Sequence, residues 1–403
     1  MSCKLIGNYS VVLRFGDDDV SINPTTIEEF TIVQDMNKLL PVFRIRLKDA
    51  MGIFTHILPS DRTKSKVYIQ VSYDNENDLA QKANTNEFNF CVYRRKPIYR
   101  FSTVTTYDIE GILDIDKLLV PNYTRARYDT IRDFLAEMVE DDFGISNYEI
   151  DASLSVKTKI LQPNWTNAQM INWLKDNAKG LKDQVAFRAF IKCQRGKPVF
   201  VFKSLETLYA SPIGYKFVVN DKPYQDYNEV FKYRIFDNYK TLGTFGSKRQ
   251  QYSYFDYDES EWISDYYEIK DFYSLTDYFL VDGSDSTDSD SIQFLGTNNE
   301  FTNDFEGKVK ANYFDRLAQL IYMWIDSKGL PNICPGDVVM VVFPQSTVGG
   351  MFTYQHSGYW LVEKVVHSIG NTFLTKLLLS RNGIDTQVKN SLVPATRKRQ
   401  TVL

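Results

Sequence analysis

Residues 330–381 limit the possible folds more than any other stretch, because three strand-like runs follow one another there with almost no linker. They read NICPGDVVMVVFPQS, SGYWLVEKVVHSIG and NTFLTKLLLSRNGID. Pro335-Gly336-Asp337 supplies a turn, and Val338 to Phe343 is an unbroken apolar run. Gly370-Asn371 is a two-residue hairpin signal between strands of similar length. Such a block predicts the closing segment of a small antiparallel barrel. A helix is predicted just before it, over 307–328, with Phe314, Leu317, Ile321 and Trp324 on one side and Gly329 and Pro331 ending it. Nothing in the block sets a nucleophile, a base or a metal ligand, so it points toward assembly and away from catalysis.

At 403 residues the chain is long for one core, and two to four domains are expected. The aromatic content of 14%, with 26 Tyr and 27 Phe, favours strands and large protein interfaces. Lys and Arg number 47 against 51 Asp and Glu, a net charge of −4. Proteins that grip nucleic acid carry a basic surplus, so no specific nucleic-acid binding is expected. No apolar run reaches the ~18–20 residues needed for a membrane span, and the first residues lack the apolar core of a signal peptide. Cys3, Cys91, Cys193 and Cys334 stand far apart with no CxxC pair, which gives neither a zinc site nor a disulfide framework. The reading is a protein folded in a reducing cytoplasm, with no cofactor and no metal.

Along the chain, residues 1–112 are strand-rich. Val67, Ile69, Val71 and Tyr73 alternate with polar residues, as do Phe88, Phe90 and Val92, between turn signals at Gly16–Asp19 and Asp74–Asp78. About six strands fit, enough to curl into a barrel or a sandwich. Residues 113–208 read as an α+β insert. Ile131, Phe134, Leu135, Met138 and Val139 form one face of a helix ending near Gly144. A second helix opens with a capping box, Thr166 with Gln169, with Trp165 and Met170 at staple positions, Leu174 and Ala178 on its apolar face and Gly180 to stop it. The runs AFRAFIK and KPVFVFK flank Gln194-Arg195-Gly196 as a hairpin. GYKFVV and FKYRIF within 209–245 are strand-like and belong with 330–381 to a second barrel. Residues 246–329 form a second insert, with an aromatic-acidic stretch, a Ser/Asp run and the helix above; 382–403 is a polar tail. The fold class is α+β, predominantly antiparallel β, with two β-barrels and two insertions; the resemblance given below implies that both barrels are tube-protein-like.

The tempting sites reduce to structural readings. Asp282–Ser291 alternates carboxylates but lacks the residue order of a calcium loop, and reads as a solvated loop with Gly283–Ser291 dispensable for folding. Asp17-Asp18-Asp19 reads as a hairpin tip. Gly243 to Lys248 lacks phosphate-loop spacing. His56, His356 and His367 sit in no metal or triad pattern; His367 falls in a strand, where a hydrogen-bonded structural histidine is expected. No GxSxG elbow occurs. Arg397-Lys398-Arg399 reads as a solvated basic end, with contact to an acidic partner as the alternative.

In order, these pieces resemble the baseplate hub protein of contractile-tailed phages, as in the T-even phages, a family that includes late control protein D and the N-terminal part of type VI secretion spike proteins. The resemblance rests on Pro163-Asn164-Trp165-Thr166 with NAQMINWLKDNAK, on Cys334-Pro335-Gly336-Asp337 with VVMVVF, and on YWLVEKVVHS from Tyr359 to Ser368. It covers nearly the whole chain through the order of its parts. It implies a structural homotrimer with no catalytic residues, which adapts a sixfold tail tube to a threefold central spike around a channel for genome passage. The implied partners are further copies of itself, the central spike, the tail tube or tube-initiator protein, the baseplate wedges and the tape measure protein. The implied location is the virion, after assembly in the host cytoplasm. Two other classes stay open from the residues alone: a tail-associated peptidoglycan hydrolase, whose two carboxylates no sequence spacing would reveal, and a carbohydrate-binding tail module, suggested by the many Tyr and Trp.

Overall fold

The computed structural model describes residues 3–6, 9–15, 27–50, 52, 65–73, 85–101, 104–115, 117–120, 123–181, 184–219, 227–237, 249–256, 260–268, 293–298, 311–312, 314–315, 321–343, 356–370 and 372–381. It divides into two compact units: Met1–Thr207 with Asp326–Gly336 and Glu363–Leu377, and Leu208–Ile325 with Asp337–Val362 and Leu378–Leu403.

The first unit opens with seven strands: β1 (Cys3–Ile6), β2 (Tyr9–Phe15), β3 (Ile27–Asp35), β4 (Val42–Asp49), β5 (Lys66–Tyr73), β6 (Thr85–Phe101) and β7 (Val104–Leu113). Their order in the sheet is β1-β2-β5-β6-β7-β4-β3. Period-two sequence explains the burial. Val67, Ile69 and Val71 point inward, as do Phe88, Phe90, Val92, Phe43, Ile45 and Leu47, all at 1% exposure or less. Gly111 is required on β7, since a Cβ there would lie 2.2 Å from the Phe43 ring.

The core continues without a break into residues 123–207. There follow β8 (Tyr123–Thr130), α1 (Ile131–Glu137), one π-helical turn (Met138–Asp142), β9 (Tyr148–Ile150), β10 (Lys157–Trp165), α2 (Asn167–Asn177), β11 (Phe187–Gln194), β12 (Lys197–Ser204) and α3 (Leu205–Tyr209). The predicted apolar face of the first helix is buried throughout, although its last turn is π-helical. Gly144, at φ +64°, takes the left-handed position that follows. Thr166 and Gln169 form the capping box: Gln169 N–H donates to Thr166 Oγ1 at 3.1 Å, and Thr166 N–H donates to Gln169 Oε1 at 2.9 Å. β11 and β12 are the expected hairpin. Arg195 and Gly196 both have positive φ, as a two-residue type I′ turn requires.

The second unit contains β13 (Ile213–Val218), β14 (Asn228–Asp237), β15 (Arg249–Asp256), β16 (Glu261–Glu268), β17 (Gln293–Asn298) and, ending or beginning in it, β18 (Ile321–Lys328), β19 (Val338–Val342), β20 (Gly358–Ile369) and β21 (Phe373–Arg381). Six strands close a barrel in the order β20-β19-β13-β14-β18-β21, with β21 returning to β20. β13 pairs in parallel with both β14 and β19. β15, β16 and β17 form a separate three-stranded sheet with β15 in the middle.

One sequence expectation is corrected. Residues 321–328 are strand β18, where 307–328 was expected as a helix; helical backbone among the described residues there is confined to 311–312 and 314–315. Ile321, Met323 and Ile325 are completely buried at alternate positions, and Trp324 lies between them on the other side. The run satisfies a period of two as well as 3.6, and pairing with β14 and β21 decides between them.

Candidate functional site

Several buried polar side chains among the described residues hold the fold together. The tip of the β11–β12 hairpin is fixed by Asn86 on β6. Its Nδ2 donates to the Cys193 and Pro331 carbonyls, each at 2.8 Å, and its Oδ1 accepts from Gly196 N–H at 3.0 Å. Gln34 Oε1 on β3 accepts from Cys193 N–H at 2.8 Å, and Asn332 Oδ1 accepts from Arg195 N–H at 3.2 Å. Cys334 Sγ donates to the Cys193 carbonyl at 3.3 Å. Asn86 and Gln34 are fully buried, where these bonds strengthen and their loss is costly.

These two residues escaped the sequence reading, yet a signal was present. Asn86 precedes Phe88, Phe90 and Val92 in the same inward phase, and Gln34 follows Phe30 and Ile32. A polar residue in the apolar phase of a strand marks a buried hydrogen-bonding anchor.

On the opposite face of the hairpin, Glu149 of β9 lies between Lys192 at 3.0 Å and Lys203 at 2.5 Å. Burial works to raise the Glu149 carboxyl, but the two ammonium groups outweigh it and hold it below the ordinary value. Beside them is an open cleft of about 720 Å³, lined by Glu140, Asn147, Tyr148, Glu149, Arg195 and Lys197 among others. Its charges are of both signs. Asp151 has a structural task too: it accepts from Thr207 Oγ1 at 2.6 Å, from Ser204 N–H at 3.2 Å and from Ser153 N–H at 3.0 Å.

His367 is buried, and burial lowers its imidazole to about 4. Thr375 Oγ1 accepts from Leu330 N–H at 2.8 Å and shares a hydrogen bond of 3.2 Å with His367 Nδ1. This is a neutral structural histidine with no access to solvent. His356 is also buried, and its carbonyl accepts from Trp360 Nε1 at 3.1 Å. Cys193 and Cys334 are buried thiols outside any disulfide, and burial pushes the Cys193 thiol up, away from the reactive thiolate. Among the described residues, no three His, Cys, Asp or Glu side chains gather as metal ligands, and no helix is long and apolar enough to cross a membrane. Asp17-Asp18-Asp19, His56, Gly243 to Lys248, Asp282–Ser291 and Arg397-Lys398-Arg399 lie outside the described residues, as do the turns at Gly16–Asp19 and Asp74–Asp78.

The described surface carries both charged and apolar side chains. The outward face of β4 and its neighbours is a ladder of charges. Arg44 donates twice to Asp108, at 2.5 and 3.0 Å, Lys48 meets Glu28 at 3.1 Å, and Arg94 meets Glu110 at 3.2 Å. The Arg44 hydrogen bond holds the Asp108 carboxyl below its ordinary value. Exposed pairs of this kind contribute ~0–1 kcal/mol each to stability, and act mainly on which surfaces can meet. Large apolar side chains are exposed elsewhere, most of all Tyr128 on β8 at 69% and Trp262 on β16 at 65%.

No protein-family model matches the sequence, and no curated protein matches it. Solved structures do match. A tail protein from Neisseria meningitidis superposes with a TM-score of 0.58 at 12% identity, over 94% of this chain and 98% of that one. The 43 kDa tail protein of prophage MuSo2 from Shewanella oneidensis gives 0.55 at 12% identity, over 92% and 98%. A chain of the Francisella PdpA–VgrG complex gives 0.52 at 9% identity, over 93% of this chain and 58% of that one. The fold is that of phage tail proteins. It extends over nearly the whole chain, as the resemblance in the sequence implied.

Proposed function

We propose that this protein is a structural component of a phage tail baseplate and serves as its hub. Three copies form a ring that adapts a sixfold tail tube to a threefold central spike, around a channel through which the genome passes. The observation that carries the proposal is the end-to-end match of fold to two tail proteins, covering 94% and 92% of this chain and 98% of each of theirs. A subunit with two β modules suits the task, because three copies then offer six modules to the tube and a threefold surface to the spike. Residues 1–112 supply one module; 209–245 and 330–381, completed by β18, supply the other, and the two are expected to superpose. Neighbouring baseplate wedges, the tube-initiator protein and the tape measure protein are the remaining contacts, all within the virion. The net charge of −4 suits a channel that lets DNA pass without holding it. The role is mechanical, and that reading is supported by His367 and Asp151, which are buried in hydrogen bonds that hold the fold, and by Glu149, which is half-buried between Lys192 and Lys203.

The test is mass in solution combined with symmetry in projection, for the chain alone and with spike and tube proteins. Three copies with threefold projections are expected. A chain that stays monomeric at high concentration with both partners present overturns the proposal.

A further inference from the structure

The open cleft of about 720 Å³ beside the β11–β12 hairpin is lined by charges of both signs, and the two signs are not in the same state. The carboxylates are engaged. Glu149 lies between the Lys192 and Lys203 ammonium groups, at 3.0 and 2.5 Å, and Glu140 accepts the hydrogen bond of the Tyr148 hydroxyl. The cations of the lining are not. Arg195 and Lys197 are exposed, and neither side chain makes a hydrogen bond, an ion pair or a ring contact with a described residue. Glu87, which lies against Gly196 between them, is already taken by Gln70 Nε2 at 3.3 Å and by the Tyr68 hydroxyl. With Lys192 and Lys203 beside it, the cleft is electropositive, and its uncommitted charge is all positive.

The backbone presents these cations firmly. Lys197 pairs with Gln194 as the last rung of the hairpin, and Arg195 and Gly196 make the turn at positive φ. Arg195 N–H donates to Asn332 Oδ1 and Gly196 N–H to Asn86 Oδ1, so the turn is fixed to two buried side chains. A backbone held in place leaves less entropy to lose when a ligand pairs with the side chains. A guanidinium offers a planar fork that meets a carboxylate with two parallel hydrogen bonds, and the Lys197 ammonium adds a compact charge beside it. Asn147 and Gln194, also in the lining, carry amide N–H groups for the remaining lone pairs of such a ligand.

We propose that this cleft binds the carboxylates of an acidic peptide segment on a partner protein, with Arg195 and Lys197 as the cations that hold it. A nucleic-acid strand fits less well. Its phosphates follow one another without a gap, and Glu140 and Glu149 in the same lining repel a continuous run of negative charge. One or two separate Asp or Glu side chains meet the cations and leave those carboxylates undisturbed. A volume of this order takes a drug-sized group, so the occupant is a short acidic loop and not a whole domain. The site goes beyond the hub reading and needs no particular number of copies.

The experiment titrates the full chain into a fluorescein-labelled pentapeptide of alternating glycine and glutamate and reads fluorescence anisotropy. The same peptide with glutamine for glutamate, and a labelled DNA duplex, are run beside it. Lys197→Gln and Arg195→Asn each remove one cation, asparagine being chosen because it tolerates the left-handed backbone at that position. Arg94→Gln removes an exposed cation of the charge ladder as a control. Saturable binding of the glutamate peptide is expected, weakening as salt rises. The glutamine peptide and the Lys197 and Arg195 variants should each bind about tenfold more weakly, with Arg94→Gln unchanged. Arg195→Lys should recover only part of the loss, since it restores the charge without the fork. No saturable binding up to about 10 mM peptide overturns the proposal. Equal weakening by Arg94→Gln also overturns it, because the attraction is then one of overall charge. A duplex that binds at least as tightly, and loses affinity in the same variants, overturns it in favour of a phosphate backbone. Melting curves check folding, and Lys197→Gln carries the test should Arg195→Asn disturb the turn. None of these outcomes bears on the hub reading, which mass and symmetry decide.

Discussion

The residues between β8 and β12 hold two antiparallel strand pairs whose first strands, β8 and β11, are each eight residues long. Helix α2 touches a strand of each. Backbone pairing is continuous in β11–β12 and shifts register once in β8–β10, between Gln162 and Trp165, but the larger difference is burial. In β11–β12, Phe187, Ala189, Ile191, Phe200 and Phe202 enter the main core on one face, while Phe190 and Val201 are buried on the other. In β8–β10, only Ile160, Gln162 and Thr130 are buried, and Tyr128 and Leu161 face outward. Hydrogen bonding makes a ribbon; apolar residues on both faces make it an interior layer. FRAFIKCQ has them and YTRARYDT does not.

That contrast can be broken by measurement. Phe200→Ala in the buried pair should cost ~3–5 kcal/mol, because the cavity adds to the lost transfer energy; denaturant unfolding showing less than about 1 kcal/mol would mean that the hairpin is not an interior layer. Asn86→Ala should cost about 2–4 kcal/mol, since Cys193, Pro331 and Gly196 lose buried partners together. The expected mark of this variant is early hydrogen exchange at the 194–197 turn.

Glu149→Gln should destabilise by about 1–2 kcal/mol at neutral pH, discounted for a partly exposed carboxylate. The Glu149 carboxyl sits below its ordinary value when folded, so its contribution is full above that value and fades as pH falls through the folded one. The variant and the wild type should therefore converge in acid; a constant gap down to low pH would assign the effect to packing. Thr166→Ala should cost ~0.5–2 kcal/mol through loss of the α2 cap, in thermal melts of the isolated protein. Smallest of all, Tyr128→Ser in the ribbon should shift stability by no more than about 0.5 kcal/mol. A larger loss would show that the ribbon face is part of the fold.

Much of the local structure was legible. The capping box of α2, the buried face of α1 and the turn at Arg195-Gly196 follow from neighbours in the chain, because caps, 3.6-residue spacing and positive φ are set within a few residues. β18 was not legible, since Ile321 and Ile325 sit four residues apart and Met323 between them, a pattern that either period accepts. Nor was the site. Tyr128 and Trp262 read in the sequence like any strand aromatic, and only the structure gives their exposure, 69% and 65%.

The sequence by itself therefore determined the individual turns, caps and strands, and the absence of a readable metal or nucleophile motif. The tertiary structure alone decided that β18 joins the barrel, that β13 runs parallel to β14 and β19, that Asn86 and Gln34 anchor a distant hairpin, and which aromatic faces stay open. The reason is physical. A local period records only that a side chain is apolar, whereas pairing and burial depend on partners such as Asn86 and Pro331, which lie far apart in the chain and meet only when it has folded.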